Sequence, residues 1–323
     1  MTYVPPFTVS PTSITLIAEI TEELVRYSFD SRKVNPNLRR INRIMSIHSS
    51  LAIEGNTLTM DQVTDIIDGK RVLGNPREIL EVKNTLSAYD LMQDYDPFDL
   101  ECLLKAHGVM MNGIIEDAGT LRKCGVGVYS GEKLIHMAPP YDRVPELITS
   151  LMQWARDSED HPLIKSCVFH YEFEFIHPFS DGNGRTGRLW HTLILSKWND
   201  SMASIPIESM VRRHQEEYYN AISRSTADGD SGVFIEFMLS AILEAIRSTS
   251  LTNSIDSIRG INDTERRLLH LIVEDEFFTA EEASLLMGVS KRTVERSIAS
   301  LKNKGLIVRE GSNKSGYWKI TIS

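Results

Sequence analysis

The stretch His177-Pro-Phe-Ser-Asp-Gly-Asn-Gly-Arg-Thr-Gly-Arg188 decides how this chain folds around its site. Pro178 disfavours helical geometry at His177, which places the histidine on a loop in front of the next helix. Gly182 and Gly184 let the backbone curl, so that successive N–H groups point to one spot where that helix begins. Such a helix N-terminus binds anions, and the stretch therefore predicts a phosphate site.

The side chains of the same stretch add chemistry to this site. Arg185 and Arg188 share a helix face, where two guanidinium forks can bracket a chain of phosphates. Asp181 would repel phosphates unless Mg²⁺ lies between them. His177 is neutral near pH 7 and can accept the proton of an incoming hydroxyl. Taken singly, each feature has a structural alternative as a turn or a surface ion pair, but together they predict a nucleotide-phosphate site with a base.

At every motif position this stretch resembles the signature of the Fic family, His-x-Phe-x-Asp/Glu-Gly-Asn-Gly-Arg-x-x-Arg. Most members of that family transfer AMP from ATP to a protein hydroxyl. The resemblance implies that His177 is the general base, that Asp181 holds Mg²⁺ and that Arg188 holds the γ-phosphate. The remaining nucleotide-binding residues that it implies are Gly182, Asn183, Gly184, Arg185, Thr186 and Gly187.

An upstream segment, Ser50-Leu-Ala-Ile-Glu54-Gly55-Asn56, resembles the family's inhibitory pattern, Ser/Thr-x-x-x-Glu-Gly/Asn. Glu54 is expected at a helix end with Gly55 as its left-handed cap, where a carboxylate opposes the helix dipole unless a cation meets it. Arg188 is the expected partner, and the pair would occupy the fork meant for the γ-phosphate. We predict a resting, inhibited state. The alternatives are an exposed carboxylate, or a glutamate that also positions a water for removal of AMP, as in some relatives.

Apolar spacing predicts a mainly α domain up to about residue 250, with one exception at residues 125–137, where two short β-prone runs predict a hairpin. The hairpin resembles the family's flap, which pairs with the target segment. Leu134, Ile135, His136 and Met137 would then line the site, with an ordinary surface hairpin as the alternative. Residues 119–122 resemble the segment that supports the flap.

Residues 217–222 resemble the helix that contacts adenine, with Tyr218 or Tyr219 against the base. The alternative is that both aromatic side chains belong to the core.

The C-terminal part predicts a separate small domain. Residues 251–261 are small and polar, which predicts a linker, and three helical patterns followed by a β pair predict a winged helix-turn-helix. Lys291, Arg292 and Arg296 would begin its recognition helix. This fold serves DNA binding, protein binding and dimerisation, so all three stay open. The predicted divisions are 1–95 (N-terminal helical region with the inhibitory motif), 96–250 (catalytic core), 251–261 (linker) and 262–323 (winged helix).

Charge and composition exclude some classes of protein. The 323 residues carry a formal net charge of −9, which argues against a general nucleic-acid coat. The 3 cysteines lie far apart, which favours a reducing compartment over a disulfide framework. The first residues lack the pattern of a secretory signal, and we expect a cytoplasmic protein.

These patterns together predict a Mg²⁺-dependent protein adenylyltransferase that uses ATP, with an unknown target protein and with itself as a second acceptor. One alternative is an enzyme that uses another donor such as UTP, or that works in reverse to remove AMP. A second alternative is a DNA-binding regulator in which the site only senses nucleotide.

Overall fold

The computed structural model describes residues 3–31, 36–130, 133–312 and 316–321. The chain forms two compact units, Met1–Ile246 and Arg247–Ser323. Across the described residues the structure is mainly helical, and its strands form two antiparallel pairs, so the predicted fold class is confirmed. Among these residues, no helix combines the length and the apolar character needed to cross a membrane.

The helices that begin in the first unit are α1 (Pro11–Ser31), α2 (Pro36–Ile53), α3 (Met60–Ile67), α4 (Pro76–Asp90), α5 (Leu100–Met110), α6 (Val144–Asp157), α7 (Pro162–Ile176), α8 (Asn183–Trp198), α9 (Ile207–Arg213), α10 (Gln215–Asp228) and α11 (Gly232–Ser257). Short 3₁₀ turns lie at Met92–Asp94, Tyr141–Arg143 and Asp200–Ser204.

Helices α7 and α8 form the centre of this unit. Both are buried over most of their length, and Phe169, Phe173, Trp190 and Leu193 are completely inaccessible to solvent. Helix α7 is apolar over most of its surface, whereas α8 also buries polar and charged side chains, among them Arg185 and Arg188. The loop between α7 and α8 carries residues 177–182, so the rigid core of the unit fixes both ends of the predicted site.

Helix α4 also positions part of the site, and its start is set by local sequence. The Asn75 side chain caps the helix by accepting from the backbone N–H of Arg77 at 3.0 Å. Pro76 takes the first helical position, where its missing N–H costs nothing. This start places Arg77 and Glu81 one turn apart on the same face.

The predicted hairpin is present as β1 (Gly127–Ser130) and β2 (Lys133–Met137), which pair antiparallel from Gly127 opposite Met137. The register shifts between Val128 and Tyr129. Residues 131 and 132 at the turn lie outside the described residues.

The second unit contains α12 (Asp263–Glu274), α13 (Ala280–Met287), α14 (Lys291–Asn303), β3 (Ile307–Glu310) and β4 (Tyr317–Ile320). Leu268, Val294, Leu301 and Trp318 are buried in its core. Helix α13 begins with a capping box, in which the Thr279 hydroxyl accepts from the Glu282 N–H while the Glu282 carboxylate accepts from the Thr279 N–H.

The structure differs from the sequence prediction at the linker. Helix α11 continues to Ser257, through the first part of the segment predicted as a linker, residues 251–261. Ile255 is completely buried in the core of the second unit, which gives this polar stretch a reason to stay helical.

Candidate functional site

His177 lies at the point where α7 ends. It caps the helix in the left-handed region (φ 50°), as the one described residue other than glycine with positive φ. Its Nδ1 lies 3.4 Å from the carbonyl oxygen of Glu174. A proton on Nδ1 can be donated to this carbonyl, and that tautomer leaves the lone pair on Nε2, as a general base would require.

The loop that carries His177 is held by Arg122, which is only 2% exposed. The Arg122 guanidinium donates to the carbonyl oxygens of His177 at 2.7 Å, Cys124 at 2.8 Å and Pro139 at 2.6 Å. Cys124 precedes the hairpin and Pro139 follows it. One buried side chain therefore ties the histidine loop to both ends of the hairpin, which gives the segment 119–122 the supporting position predicted for it.

His107 braces the same loop, and sequence reasoning did not identify it. Its ring stacks on Phe179 with centroids 3.6 Å apart. Its Nδ1 accepts from the Gly119 N–H at 2.9 Å, so that Nε2 donates to the carbonyl oxygen of Asp181, also at 2.9 Å. Burial lowers the pKa of His107 to about 4. A neutral ring fits both contacts at neutral pH.

The N-terminus of α8 has the predicted close turn. Gly182 is its N-cap with φ 83°, and a Cβ there would lie 2.6 Å from the Met111 sulfur. The side-chain amide of Asn183 accepts from the N–H of Phe179 and donates to its carbonyl, at 2.9 Å in each case. Asn183 therefore shapes the loop with its side chain. Gly184 lies directly against a carboxylate oxygen of Glu54, where any side chain would collide.

Asp181 and Arg185 belong to a closed ring of four charged side chains, the ion ring, together with Arg77 and Glu81 of α4. Arg185 pairs with Asp181 at 3.3 Å and with Glu81 at 3.6 Å. Arg77 pairs with Asp181 at 3.5 Å and with Glu81 at 3.6 Å. The ring alternates two cations with two anions. Sequence reasoning did not identify Arg77 and Glu81, because no local motif marks them.

Arg188 is held by α2 and the residue that follows it. Its Nη2 donates to Glu54 Oε1 at 2.7 Å and to the Ser50 carbonyl at 3.0 Å, and its Nε donates to the Ser50 hydroxyl at 3.1 Å. The Arg188 side chain is 3% exposed, whereas that of Glu54 is 31% exposed. Gly55 has φ 88°, as expected for a left-handed cap. The expected pairing of Glu54 with Arg188 is present.

A second carboxyl group, Glu174, is buried close to Arg188. Among the described residues its Oε1 has no hydrogen-bond partner, and it faces Gly187, where a Cβ would lie 2.7 Å away. Burial raises the pKa of Glu174 to about 8, although the Arg188 charge opposes the shift. The raised pKa favours an uncharged Glu174 at neutral pH, and no sequence motif marks this residue.

The other predicted nucleotide contacts divide into core and accessible positions. The Thr186 hydroxyl lies 3.9 Å from the Met110 sulfur and is buried. Tyr218 is buried, with its hydroxyl 3.2 Å from His170 Nε2. Tyr219 is half-buried, and burial together with the Glu54 carboxylate raises its pKa. Tyr219 is therefore the more accessible of the two tyrosines, while the charge of Glu54 acts on both.

The predicted flap positions are only partly described. Residues 134–136 belong to β2, but the side chains of Leu134, Ile135 and His136 lie outside the described residues. Met137 is exposed at the end of the strand.

The carboxylates at the site bear on the expected binding of Mg²⁺. The described residues contain no cluster of three or more His, Cys, Asp or Glu side chains that would hold a metal alone. Asp181 offers one partly exposed carboxylate at the mouth of the anion site. That donor set fits Mg²⁺, which is commonly bound by one or two carboxylates together with substrate phosphates and water.

Comparison with known proteins agrees with this geometry. Residues 97–195 match the profile of the Fic/DOC family. The chain is 26% identical over 231 residues to "Protein adenylyltransferase fic-1" of Caenorhabditis elegans, a match that covers 66% of this chain and 43% of that protein. It is 28% identical over 207 residues to "Protein adenylyltransferase Fic" of Culex quinquefasciatus, covering 60% and 39%. The matches thus span less than half the length of these relatives.

A solved structure extends the likeness to the whole chain. The crystal structure of a Fic family protein from Desulfovibrio desulfuricans G20 superimposes with a TM-score of 0.76 and 41% sequence identity, over 99% of both chains. With this identity over its full length, and with the His177–Arg188 motif folded as a loop and helix N-terminus, the chain belongs to the Fic family.

Proposed function

We propose that this chain is a protein adenylyltransferase that rests in an inhibited state. A serine, threonine or tyrosine hydroxyl of a target protein attacks the α-phosphorus of ATP. A bond forms between that oxygen and phosphorus, the bond to the β-phosphate oxygen breaks, and pyrophosphate leaves. The relatives named as protein adenylyltransferases support this reaction, and the 41% identical Fic family structure supports its placement on this chain.

The observation that carries the proposal is the position of the Glu54 carboxylate. It lies against the α-carbon of Gly184 in the first turn of α8 and pairs with Arg188 at 2.7 Å. A helix N-terminus with a guanidinium one turn away is an anion site, and an anion of the chain already occupies it. The γ-phosphate of ATP has the same charge requirement, so Glu54 and the triphosphate compete for one place.

His177 is the general base in this proposal. Its Nε2 takes the proton of the attacking hydroxyl, while Nδ1 keeps its contact with the Glu174 carbonyl at 3.4 Å. Arg122 and His107 hold the loop, so the ring does not have to be ordered during the reaction. The N–H groups at the start of α8, together with Arg185, stabilise the charge that develops on the phosphates.

Mg²⁺, when bound, would neutralise phosphate charge and orient the leaving group. Asp181 is the residue that would hold it, which requires Asp181 to loosen its pairs with Arg77 and Arg185.

Glu54 is the inhibitory residue in this proposal. With Arg188 paired to Glu54, ATP lacks the contact that would orient its γ-phosphate, and its α-phosphorus is not presented to the acceptor. Movement of α2 or replacement of Glu54 relieves this state.

The test is transfer of label from α-³²P-ATP with Mg²⁺ to the protein itself and to cell lysate. We expect strong labelling by Glu54→Gly, weak labelling by the wild type and none by Glu54→Gly/His177→Ala. Glu54→Gln keeps the side-chain volume and separates loss of charge from loss of bulk. Labelled UTP tests the donor. Equal labelling by Glu54→Gly and by the double variant would contradict the catalytic role of His177.

For the second unit we propose a winged-helix interaction module. Its order of three helices and an antiparallel pair supports this, and Arg292 and Arg296 lie exposed on α14. The exposed Leu285 and Leu286 on α13 favour a protein partner, because apolar side chains gain by burial against another protein, whereas contacts to phosphate do not use them. Gel-shift titration with duplex DNA at two salt concentrations tests this, and salt-sensitive tight binding would overturn the preference.

A further inference from the structure

The segment that carries Glu54 is folded back on the last turn of α2. The backbone N–H groups of Glu54 and Asn56 both donate to the Leu51 carbonyl, at 3.0 and 3.1 Å. The position of the Glu54 carboxylate therefore depends on how residues 54–57 are held.

Helix α4 holds the same segment from the other side. Asn56 Nδ2 donates to Glu81 Oε2 at 2.9 Å, and the Thr57 N–H donates to Glu78 Oε1 at 2.6 Å. Glu54 cannot leave the anion site with its backbone unless these contacts stretch or break.

The same Glu81 side chain contacts the phosphate-binding residues. Its Oε1 pairs with Arg185 at 3.6 Å and with Arg77 at 3.6 Å, as part of the ion ring. The Glu81 side chain is 14% exposed and that of Arg185 is 4% exposed, so bulk water screens the pair only weakly. Moreover, Arg185 Nε is buried and has no hydrogen-bond partner within the described part of the chain, which leaves a donor for a phosphate oxygen.

We propose that Glu81 is a positioning residue that joins the two arginines of the motif into one switch: it neutralises Arg185, as Glu54 neutralises Arg188, and holds Glu54 in place through Asn56. This inference rests on the proposed function, since it assigns Glu81 to the control of the same triphosphate site.

The charges give the direction of the effect. A triphosphate brings negative charge to Arg185 and must take that guanidinium from Glu81. Once Glu81 loses its pairing with Arg185, its contact with Asn56 is also disturbed, and the segment that carries Glu54 loosens. Binding of the β- and γ-phosphates is therefore coupled, although Glu54 and Glu81 lie on different parts of the chain.

The experiment measures ATP affinity by titration calorimetry and label transfer in the full chain. Glu81→Gln keeps the shape and can still accept from Asn56, but it removes the charge beside Arg185. We expect Kd for ATP to fall about five- to tenfold, as for loss of one partly screened ion pair. Asn56→Ala keeps that charge but removes the hydrogen bond that joins Glu81 to the segment of Glu54. With Glu54 present, this substitution should raise label transfer severalfold over that of the wild type.

Asp90→Asn is the matched control. Asp90 is another carboxylate of α4 that pairs with an arginine, in its case Arg43 of α2, but it lies at the other end of the helix and is not part of the ion ring. It should leave ATP affinity and transfer unchanged. Adenosine, which has no phosphates, should bind Glu81→Gln and the wild type equally.

Combination with Glu54→Gly tests the coupling. We expect the gain from Glu81→Gln to be clearly smaller in the Glu54→Gly background than in the wild type, because both act on one switch. The inference would be overturned if Glu81→Gln changed ATP affinity no more than Asp90→Asn, or if the gains in affinity from Glu81→Gln and Glu54→Gly were fully additive. In either case, tighter ATP binding by Glu54→Gly would leave the proposed function intact. Absence of ATP binding in every variant would overturn both.

Discussion

Arg122 offers a sharp test of how this site is built, because one side chain joins the loop of His177 to both ends of the hairpin. Its guanidinium donates to three backbone carbonyls within 2.8 Å and is almost completely buried. Only a planar fork with several N–H groups reaches all three. Arg122→Lys keeps the charge but replaces the fork with a single ammonium group.

The expected loss can be worked out from these contacts. A lysine can keep about one of the three hydrogen bonds, and each lost bond to a charged donor costs about 1.5–3 kcal/mol. We therefore expect Arg122→Lys to lower the free energy of unfolding by about 3–6 kcal/mol, measured by urea denaturation monitored by circular dichroism.

The same substitution should affect catalysis more than binding. The left-handed conformation of His177 costs about 1–3 kcal/mol, and the surrounding contacts hold the residue in it. Without the clamp the loop relaxes, and we expect the rate of AMP transfer by Glu54→Gly to fall at least about tenfold with little change in ATP affinity.

Arg156→Lys is the matched control. Arg156 also donates to a backbone carbonyl, that of Phe98 at 2.7 Å, but it is exposed and away from the site. Its replacement should change the stability by less than about 0.5 kcal/mol. If Arg122→Lys unfolds within about 1 kcal/mol of the wild type and keeps its transfer rate, the proposed clamp is refuted.

Three further predictions follow from single contacts. Glu54→Gln should raise ATP affinity about tenfold or more by calorimetry, because ATP then displaces a neutral amide from Arg188 in place of a carboxylate paired at 2.7 Å, and AMP should gain much less. Equal gains for both nucleotides would contradict the assignment of Arg188 to the γ-phosphate. Glu174 has a pKa raised by burial from 4.5 to about 8, so its stabilising effect is full below pH 4.5 and is lost as the pH rises to 8. The melting temperature of Glu174→Gln should therefore rise relative to wild type over that interval, and parallel curves would speak against a buried, uncharged Glu174. Thr279→Ala should destabilise the second unit by about 1 kcal/mol through loss of its capping box, as measured by thermal unfolding, whereas no change would show that the cap is redundant.

The sequence predicted the centre of this site because its determinants are local. His177, the glycine turn and the two arginines lie on one loop and the helix that follows, so spacing alone fixes their relative positions. The helix ends at Gly55 and Thr279 and the hairpin were predictable for the same reason. The side-chain directions of Asn183 and Thr186 were not, since motif position does not say whether a residue faces the loop, the core or the ligand.

Contacts between distant parts of the chain carried no such signal. Arg77 and Glu81 reach Asp181 and Arg185 only because α4 packs beside the site, and nothing in the sequence of α4 marks them as site residues. His107 and Glu174 are of the same kind, since burial gives them their properties and burial depends on the whole fold. The pairing of Glu54 with Arg188 was predictable only because a family resemblance supplied the long-range partner.

The partners of Arg188 also suggest how the resting state is released. Its guanidinium makes three hydrogen bonds to Glu54 and Ser50, at 2.7, 3.0 and 3.1 Å. A tethered anion competes at an effective concentration that can reach the millimolar range, so free ATP must replace all three bonds against a competitor that never diffuses away. Movement of α2 breaks the three bonds at once, because all of the acceptors belong to this helix or the residue that follows it. Under the proposed inhibition by Glu54, we therefore expect a displacement of α2 to activate transfer more effectively than a rise in ATP concentration.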